Sequence, residues 1–384
     1  MNWSPKLNQA LLLSLALVGL PAMTPPPLDR AGGFFTYFGG DLSQLEEMAR
    51  RYDVVIWHHH PEIRHALPEL KSCNPRLKAF MYRNLFCILQ RETPLEESVG
   101  NFDEISAHHP DWFQHDHHGR RVEVPDYPGR WMMDLGNPEW QDFWIQETLK
   151  DVLEGNWDGV FADDALTEVT SHQLPPLAGY PDNAALQEAV YGFLVKAHEA
   201  FRKANKLFVA NVSSTYDYPG LWEKWLKATD GLMEEHFAGE GWTWGQEVAN
   251  RQLEAMQLAA REGKWMFCMT YGPWEDRQRM LTSLAAHLIG AGPKTYWSYR
   301  PYEYSDDPAW DPFWEHRLGQ PLEQAKSWGP LWQRRFEHGV AAANTGSSSL
   351  PWVWSGVKRS LKPHQGVVIE DGAAAGRLNS DGAG

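Results

Sequence analysis

Short apolar runs alternate with longer, helix-like stretches over most of this sequence. Eight of the runs have the length and composition of buried strands. They are residues 34–38, 54–57, 77–82, 157–164, 207–212, 230–237, 265–270 and 295–299. Strands that alternate with helices build a parallel sheet with right-handed crossovers. A closed (β/α)8 barrel, the TIM barrel, is the simplest arrangement of eight such units, so we predict an α/β fold of this kind.

An open, doubly wound sheet is the alternative arrangement of the same units. It usually carries a glycine-rich phosphate loop, G-x-G-x-x-G, after an early strand. The first run ends at Gly39 and Gly40 without that spacing, which favours the barrel. One helix start is clearly marked, because Asn137, Pro138 and Glu139 combine a preferred N-cap, a proline at the first helical position and an early acid.

Both ends of the chain are expected to lie outside the barrel. Residues 1–22 have a basic residue, an apolar stretch too short for a bilayer and small residues after it, the order of a signal peptide. We therefore expect a secreted or periplasmic protein whose mature form has no membrane segment. The barrel is expected over residues 30–335. Residues 336–384 are expected to hold a small C-terminal β appendage, with strands near 335–344 and 366–370, and a disordered tail from 373.

Charge and aromatic content restrict the partners of this chain. The 35 Lys+Arg against 50 Asp+Glu give a net charge of -15, without the basic footprint that nucleic acid or an anionic membrane requires. The 20 tryptophans are an unusual number, and the flat apolar face of indole stacks well on a sugar ring. We therefore expect a carbohydrate partner, although ordinary packing accounts for most of the tryptophans individually.

The fourth run ends in two acids, Asp163 and Asp164. An unpaired buried charge is costly, so the pair is expected at the carboxyl end of the strand, where parallel α/β folds place their sites. The sixth run contains a second pair, Glu234 and Glu235. In a barrel the two strand ends face one mouth, so the two pairs can meet. A structural Asp pair that caps the following helix is the alternative interpretation of the first pair.

Paired carboxyl groups across a sugar-sized gap are what glycosidic cleavage needs. One must be protonated to release the leaving oxygen, and the other must be ionised to act as nucleophile or to activate water. Adjacent acids help to separate the pKa values of a pair through like-charge repulsion. Alternation along a strand turns one acid of each pair away from the mouth. Glu235 lies nearer its strand end than Glu234, and we expect Asp164 to point away like Glu234.

These motifs together resemble a known family. They are Asp-Gly-Val-Phe-Ala-Asp at 158–163, Trp-Met-Met-Asp-Leu-Gly-Asn-Pro at 131–138 and Glu-Glu-His-Phe at 234–237. They are similar to glycosidase-like barrels of the hypothetical glycosyl hydrolase family fifteen and, more distantly, of the α-polygalactosaminidase and spherulin-4 group. The resemblance implies that Asp163 is the nucleophile or catalytic carboxylate and that Glu235 or Glu234 is the proton donor, of which we choose Glu235. The resemblance supports the class, a glycoside hydrolase, more strongly than it supports any particular substrate.

Further residues are predicted to contact the substrate because of their positions beside strand ends or, for Asp134, just before a helix N-cap. They are Trp57, His58, Tyr82, Asn84, Asp134, Asp164, Asn211, Glu234, Tyr271 and Trp297. Together they supply the amide and aromatic groups that sugar hydroxyls and ring faces need. Asp134 is equally well interpreted as a helix-start residue without contact to the substrate.

Two other functions are compatible with the sequence: a carbohydrate-binding barrel without catalysis, and a zinc amidohydrolase-type enzyme. Histidines at 58–60 and at 115, 117 and 118 suggest a metal. A zinc site also needs ligands from several other strands, and the eighth run offers neither His nor Asp. A solvated turn before Gly119 explains the second histidine cluster. The sequence therefore predicts neither a metal nor another cofactor.

Overall fold

The computed structural model describes residues 33–37, 45–90, 98–212, 217–239, 242, 245–301 and 311–371. The predicted signal peptide and the predicted disordered tail lie outside them.

Eight parallel strands form the central sheet, in which each strand pairs with the next along the chain. A short antiparallel pair, β4 (Cys87–Leu89) and β5 (Arg130–Met132), lies between the third and fourth of them in sequence. The eight strands are β1 (Phe34–Tyr37), β2 (Val54–Trp57), β3 (Lys78–Asn84), β6 (Gly159–Ala165), β7 (Leu207–Val212), β8 (Gly231–Glu234), β9 (Trp265–Tyr271) and β10 (Thr295–Arg300). A parallel bridge between Gly33 and Trp297 links the two edges. The predicted TIM-like barrel is confirmed in this nearly closed form.

Helices alternate with the barrel strands. They are α1 (Leu45–Arg51), α2 (Pro61–Cys73), α3 (Phe102–His108), α4 (Pro138–Glu154), α5 (Asn183–Lys203), α6 (Leu221–Lys227), α7 (Gln246–Arg261) and α8 (Arg277–Gly290). The N-cap predicted for α4 is present, since the Asn137 side chain accepts hydrogen bonds from the backbone N–H groups of Glu139 and Trp140. Within the described residues, no helix has the length and apolarity needed to cross a membrane.

Alternation along the strands produces two cores. Val54, Phe161, Met233 and Phe267 fill the inside of the barrel, whereas the residues between them pack under the helices. Gly159 starts β6 at a crowded point, because a Cβ there would lie 2.2 Å from the carbonyl oxygen of Leu207. The glycine of the Asp-Gly-Val-Phe motif therefore lets β6 and β7 approach each other and fixes which residues of β6 face the mouth.

An antiparallel β appendage follows the barrel. Its main sheet contains β11 (Lys326–Trp328), β12 (Leu331–Phe336), β13 (Gly339–Asn344) and β16 (Gly366–Glu370), and β14 (Leu350–Trp354) pairs with β15 (Val357–Leu361). The run at 335–344, predicted as one strand, is largely the second half of a β12–β13 hairpin that turns at Glu337 and His338. The predicted boundary between residues 335 and 336 falls within β12.

Arg334 joins the appendage to the barrel. This buried side chain donates hydrogen bonds to the carbonyl oxygens of Leu288, Ile289 and Ala291. These carbonyls lie at the C-terminal end of α8, where the helix dipole is negative. The arginine thus stabilises a helix end instead of pairing with an acid.

Candidate active site

Three neighbouring strands bring two carboxyl groups and one amide together at the mouth of the barrel. Asp163 lies on β6, Asn211 on β7, and Glu235 directly follows β8. Asn211 Nδ2 donates to Asp163 Oδ1 at 2.8 Å and to Glu235 Oε2 at 2.7 Å. Because both bonds share one nitrogen, the two carboxyl oxygens are separated by no more than the sum of these lengths, 5.5 Å. The meeting of the two strand ends that the sequence predicts is therefore present.

A tyrosine orients each member of this pair. The Tyr82 hydroxyl donates to Asp163 Oδ2 at 2.6 Å, and the Tyr271 hydroxyl donates to Glu235 Oε1 at 2.8 Å. His58 is buried with its ring edge-on to Tyr82, at 4.7 Å between ring centroids. Burial lowers the pKa of His58 to about 3, helped by the nearby charges of Arg83 and Arg130. A neutral His58 therefore supports the ring of Tyr82 beneath the pair.

The protonation of Asp163 is unusual for an aspartate. Burial, and then the charges of Asp164 and Glu235, raise the pKa of Asp163 to about 8, against hydrogen bonds from Tyr82 and Asn211 that lower it. The site therefore retains a proton at neutral pH. Two carboxyl groups that hold one proton between them supply both forms, acid and conjugate base, that general acid–base chemistry requires.

The end of β6 departs from regular alternation. The register with β7 shifts between Ala162 and Ala165, and Asp164 has a left-handed φ of 58°, which is uncommon for a residue other than glycine. Asp164 Oδ2 accepts a hydrogen bond from Asn84 Nδ2 at 2.9 Å. The irregularity keeps Asp164 close enough for its charge to raise the pKa of Asp163. This corrects the expectation that alternation turns Asp164 away.

Two residues beside Asp164 were not predicted from the sequence. His172 Nε2 lies 3.2 Å from Asp164 Oδ1. The His172 ring stacks on Phe86, at 5.4 Å between centroids, and meets Tyr127 edge-on at the same distance. Tyr127 is 41% exposed, and burial and the charge of Asp164 raise its pKa. Both residues lie in long connections without regular periodicity, so no sequence signal places them at the mouth.

Three of the predicted substrate-binding residues do not lie at the mouth. Trp57 and Trp297 are fully buried in the outer core, where Trp297 packs on Trp314 at 4.9 Å between ring centroids. Glu234 faces α7 and lines a cavity of about 420 Å³ on the flank of the barrel. All three occupy outward positions of their strands, because alternation gives the inward positions to their neighbours. The structure thus corrects the expectation for Trp57, Glu234 and Trp297.

Glu234 has a structural environment of its own. Burial raises its pKa to about 8, while hydrogen bonds from the backbone of His236 and the side chain of Gln252 lower it. Gln252 also donates to the His236 carbonyl oxygen at 3.1 Å and accepts from the Ala238 N–H at 3.0 Å. Glu234 and Gln252 therefore hold the turn after β8, the turn that positions Glu235.

The side-chain contacts that the structure shows for Asp134 are with the start of α4 and with Tyr180. Its Oδ1 accepts hydrogen bonds from the Gly136 N–H, at 3.0 Å, and from the Tyr180 hydroxyl. Asn137, the N-cap of α4, comes three residues after Asp134. These contacts match the interpretation of Asp134 as a helix-start residue, and they do not connect it to Asp163 and Glu235.

No group of three or more His, Cys, Asp or Glu side chains in the described part of the chain is arranged to hold a metal ion. In the second histidine cluster, Asp116 pairs with Arg120 instead, at 2.7 Å between Oδ2 and Nη2. The zinc alternative thus gains no support from these residues.

The fold and the site together define a class. This is an α/β barrel with carboxyl groups clustered at the carboxyl ends of its strands, the face where such barrels carry their active sites. The model of hypothetical glycosyl hydrolase family 15 matches residues 71–340. The chain belongs to this family, as the sequence motifs indicate.

Solved structures with a similar fold include several glycoside hydrolases. The GH31 dextranase from Flavobacterium johnsoniae, complexed with glucose, has a TM-score of 0.54 at 12% identity over 89% of this chain and 50% of its own. The maltogenic α-amylase AmyB from Thermotoga neapolitana has a TM-score of 0.49 at 11% identity, over 88% of this chain and 96% of its own. At such low identity the similarity shows the fold alone. No curated protein shows significant sequence similarity to this chain.

Proposed function

We propose that this protein is a retaining glycoside hydrolase that cleaves an oligo- or polysaccharide with Asp163 and Glu235. The observation that carries the proposal is the Asn211 amide between them, which limits their nearest oxygens to 5.5 Å. Carboxyl groups of retaining enzymes lie about 5–5.5 Å apart, whereas those of inverting enzymes lie roughly 6.5–9.5 Å apart to admit a water. Membership of a glycosyl hydrolase family supports the reaction class.

In the proposed first step, an oxygen of Asp163 attacks the anomeric carbon as Glu235 gives its proton to the leaving oxygen. The glycosidic bond breaks and a glycosyl ester forms on Asp163. In the second step Glu235 removes a proton from water, the water oxygen attacks the anomeric carbon, and Asp163 leaves as the carboxylate. Two displacements return the original configuration. Tyr82 and Tyr271 keep the two carboxyl groups oriented through both steps.

The proton of the pair must lie on Glu235 when the bond breaks. Positive charge develops at the anomeric carbon in the transition state, and this charge favours the ionised form of the adjacent Asp163. Tyr82 and Asn211 also donate to that form. The proposed mechanism then requires the proton on Glu235, which shares the Asn211 amide. Because the pKa of Asp163 is raised to about 8, we expect kcat/KM to fall above about pH 8, where the pair loses this proton.

We also propose that the protein is exported and meets its substrate outside the cytoplasm. This proposal rests on the order of basic, apolar and small residues in 1–22. Mass spectrometry of protein recovered outside the cytoplasm should show a chain that lacks about the first 22 residues. An intact Met1 on protein recovered outside the cytoplasm would contradict the proposed export.

A panel of polysaccharides and oligosaccharides, with chromatographic analysis of the products, tests the proposed reaction. The wild-type protein should release shorter sugars from at least one member, with and without EDTA. Asp163→Asn should release almost none. Glu234→Gln should retain most of the activity, because Glu234 faces away from the mouth and glutamine keeps the volume and neutral charge of the protonated glutamate that holds the turn after β8. Equal release by the wild type and Asp163→Asn, both shown to be folded by circular dichroism, would contradict the proposal, as would no release from any substrate.

A further inference from the structure

We propose that His172 is a positioning residue that acts through Asp164: its imidazolium pairs with Asp164 and offsets the negative charge that Asp164 places beside Asp163, and so sets the lower pH limit of activity. The reaction to which this limit applies rests on the proposed function. The pairing of His172 with Asp164 is testable without it.

The first observation is where the two imidazole nitrogens point. Nε2 lies 3.2 Å from Asp164 Oδ1, and Nδ1 lies 4.0 Å from Asp126 Oδ2. The first contact is a hydrogen bond to a carboxylate, which accepts hydrogen bonds but does not donate them. The second is too long for a hydrogen bond but lies within ion-pair range of a positively charged ring. The geometry therefore favours the charged form of His172.

The second observation is that the loop containing His172 and Gln173 has an uncommon backbone conformation. His172 and Gln173 have left-handed φ values of 53° and 57°, and such residues persist only where their surroundings fix them. The surroundings here are the ring of Phe86 stacked on His172, the edge of Tyr127, and a hydrogen bond from Gln173 Nε2 to Asp126 Oδ1. The loop is thus tied on one side to β3–β4 and on the other to the 126–127 segment.

The charges that face His172 come from several elements. Asp164 and Asp163 approach from β6 and Asp126 from the segment before β5, while Arg130 stacks over Tyr127 at 4.9 Å from its centroid. Burial, the largest single influence, disfavours the charged form of His172, but the hydrogen bond and charge of Asp164 together with the charges of Asp126 and Asp163 raise the pKa of His172.

The charge of His172 affects the ionisation of the proposed catalytic pair. Asp163, Asp164 and Glu235 are three acids in one cluster, and each ionised member makes ionisation of the others harder. A positive charge on His172 offsets part of this repulsion. Without that charge, the Asp163–Glu235 pair would lose its first proton at a higher pH, so the singly protonated pair required for attack would appear later in a titration from acid pH.

The pairing is tested by NMR titration of histidines labelled with ¹³C, with the His172 signal assigned by its absence in His172→Gln. In the wild type the His172 midpoint should lie above that of an ordinary histidine. In Asp164→Asn it should fall by about one pH unit, the effect of losing an adjacent opposite charge. An unchanged midpoint in Asp164→Asn would overturn the proposal, whether or not the protein has glycosidase activity.

The functional consequence is tested by the pH profile of kcat/KM. His172→Gln retains a hydrogen-bond donor but no charge, so its acidic limb should move to higher pH by about one unit. His198→Gln is the matched control, because His198 of α5 pairs at 3.3 Å with Asp230, which precedes β8 at the amino end of the strand, and its profile should not move. A uniform loss at all pH values in His172→Gln, or an unchanged profile, would overturn the proposal. If the wild type cleaves no glycan, the proposed function fails, and the NMR titration alone decides the pairing.

Discussion

Two barrel strands, β6 and β8, end in pairs of adjacent acids, and the two pairs have different environments. After β6, Asp163 and Asp164 both remain beside the mouth, because the strand bulges and Asp164 takes a left-handed φ of 58°. At the end of β8, Glu235 faces the mouth and Glu234 faces α7 and a flank cavity. The sequence pattern of two consecutive acids is the same in both cases.

The difference shows that the local backbone at a strand end, and not the pattern of two consecutive acids, decides which environment each acid has. At β6 the neighbouring negative charge of Asp164 contributes to the raised pKa of Asp163. At β8 the second acid is instead a buried group whose pKa burial raises to about 8 and whose partners stabilise a turn. Asp164 thus changes the pKa of the catalytic candidate beside it. Glu234 instead connects the turn after β8 to Gln252 of α7.

The largest effect is expected for Asp163→Asn. The substitution keeps the volume but removes the nucleophile, so kcat/KM should fall by about 10³-fold or more. Steady-state kinetics on the substrate identified in the panel measures the loss, with circular dichroism as the check on folding. Activity close to that of the wild type in a folded variant would end the assignment of Asp163.

The next effect is expected for Glu235→Gln. Loss of a general acid typically costs about 10²- to 10⁴-fold. The loss in kcat/KM should be smaller for substrates with good leaving groups, such as aryl glycosides, because these groups need little protonation. The comparison of a natural and an aryl substrate separates this role from that of Asp163. An equal loss on both substrates would argue against Glu235 as the proton donor.

Asp164→Asn should have a smaller effect, and it tests the irregular strand end directly. Asparagine tolerates the left-handed conformation, so the fold should be retained. Removal of the charge lowers the pKa of Asp163, because Asp164 is one of the groups that raise it. Because the charge of Asp164 also opposes the first ionisation of the Asp163–Glu235 pair, the acidic limb of kcat/KM should move to lower pH, opposite to the shift expected for His172→Gln. A shift in the same direction for both variants would contradict this account of the three acids.

The smallest effect on activity is expected for Glu234→Gln, which should change stability instead. The pKa of Glu234 is raised from 4.5 to about 8 in the native state. Between these values the native protein holds a proton that the unfolded chain has released, so stability falls as pH rises through this window. A glutamine at this position does not titrate and removes this loss, so the Tm of the variant relative to the wild type should rise between about pH 5 and about pH 8. A pH-independent difference in Tm would contradict the raised pKa.

Much of the fold was accessible from the sequence because burial on both faces gives each barrel strand a continuous apolar run. The strand β7 was predicted with its observed bounds. The appendage was harder, because several of its strands, such as β12 and β14, have only some of their residues buried and so lack a continuous apolar run. The β12–β13 hairpin lacks the Asn-Gly type of turn that marks many two-residue connections, so the sequence suggested one strand.

The site residues also differ in how far the sequence predicts them, and the reason is again physical. Asp163, Asn211 and Tyr271, which are predicted from their places at or beside strand ends, meet Glu235 at the mouth. Trp57 and Trp297 were misjudged because proximity to a strand end does not determine which face a side chain takes. His172 was missed because its position depends on a long loop that packs on Phe86, and tertiary contacts of this kind leave no local pattern.

The central claim is that the short separation of Asp163 and Glu235 makes Asp163 attack the sugar directly. Proton NMR of the first product, recorded before the free sugar mutarotates, tests this claim most directly. We predict that the new reducing end has the same anomeric configuration as the bond that was cleaved. A product of the opposite configuration would contradict the claim, since a single displacement by water would then replace the attack by Asp163.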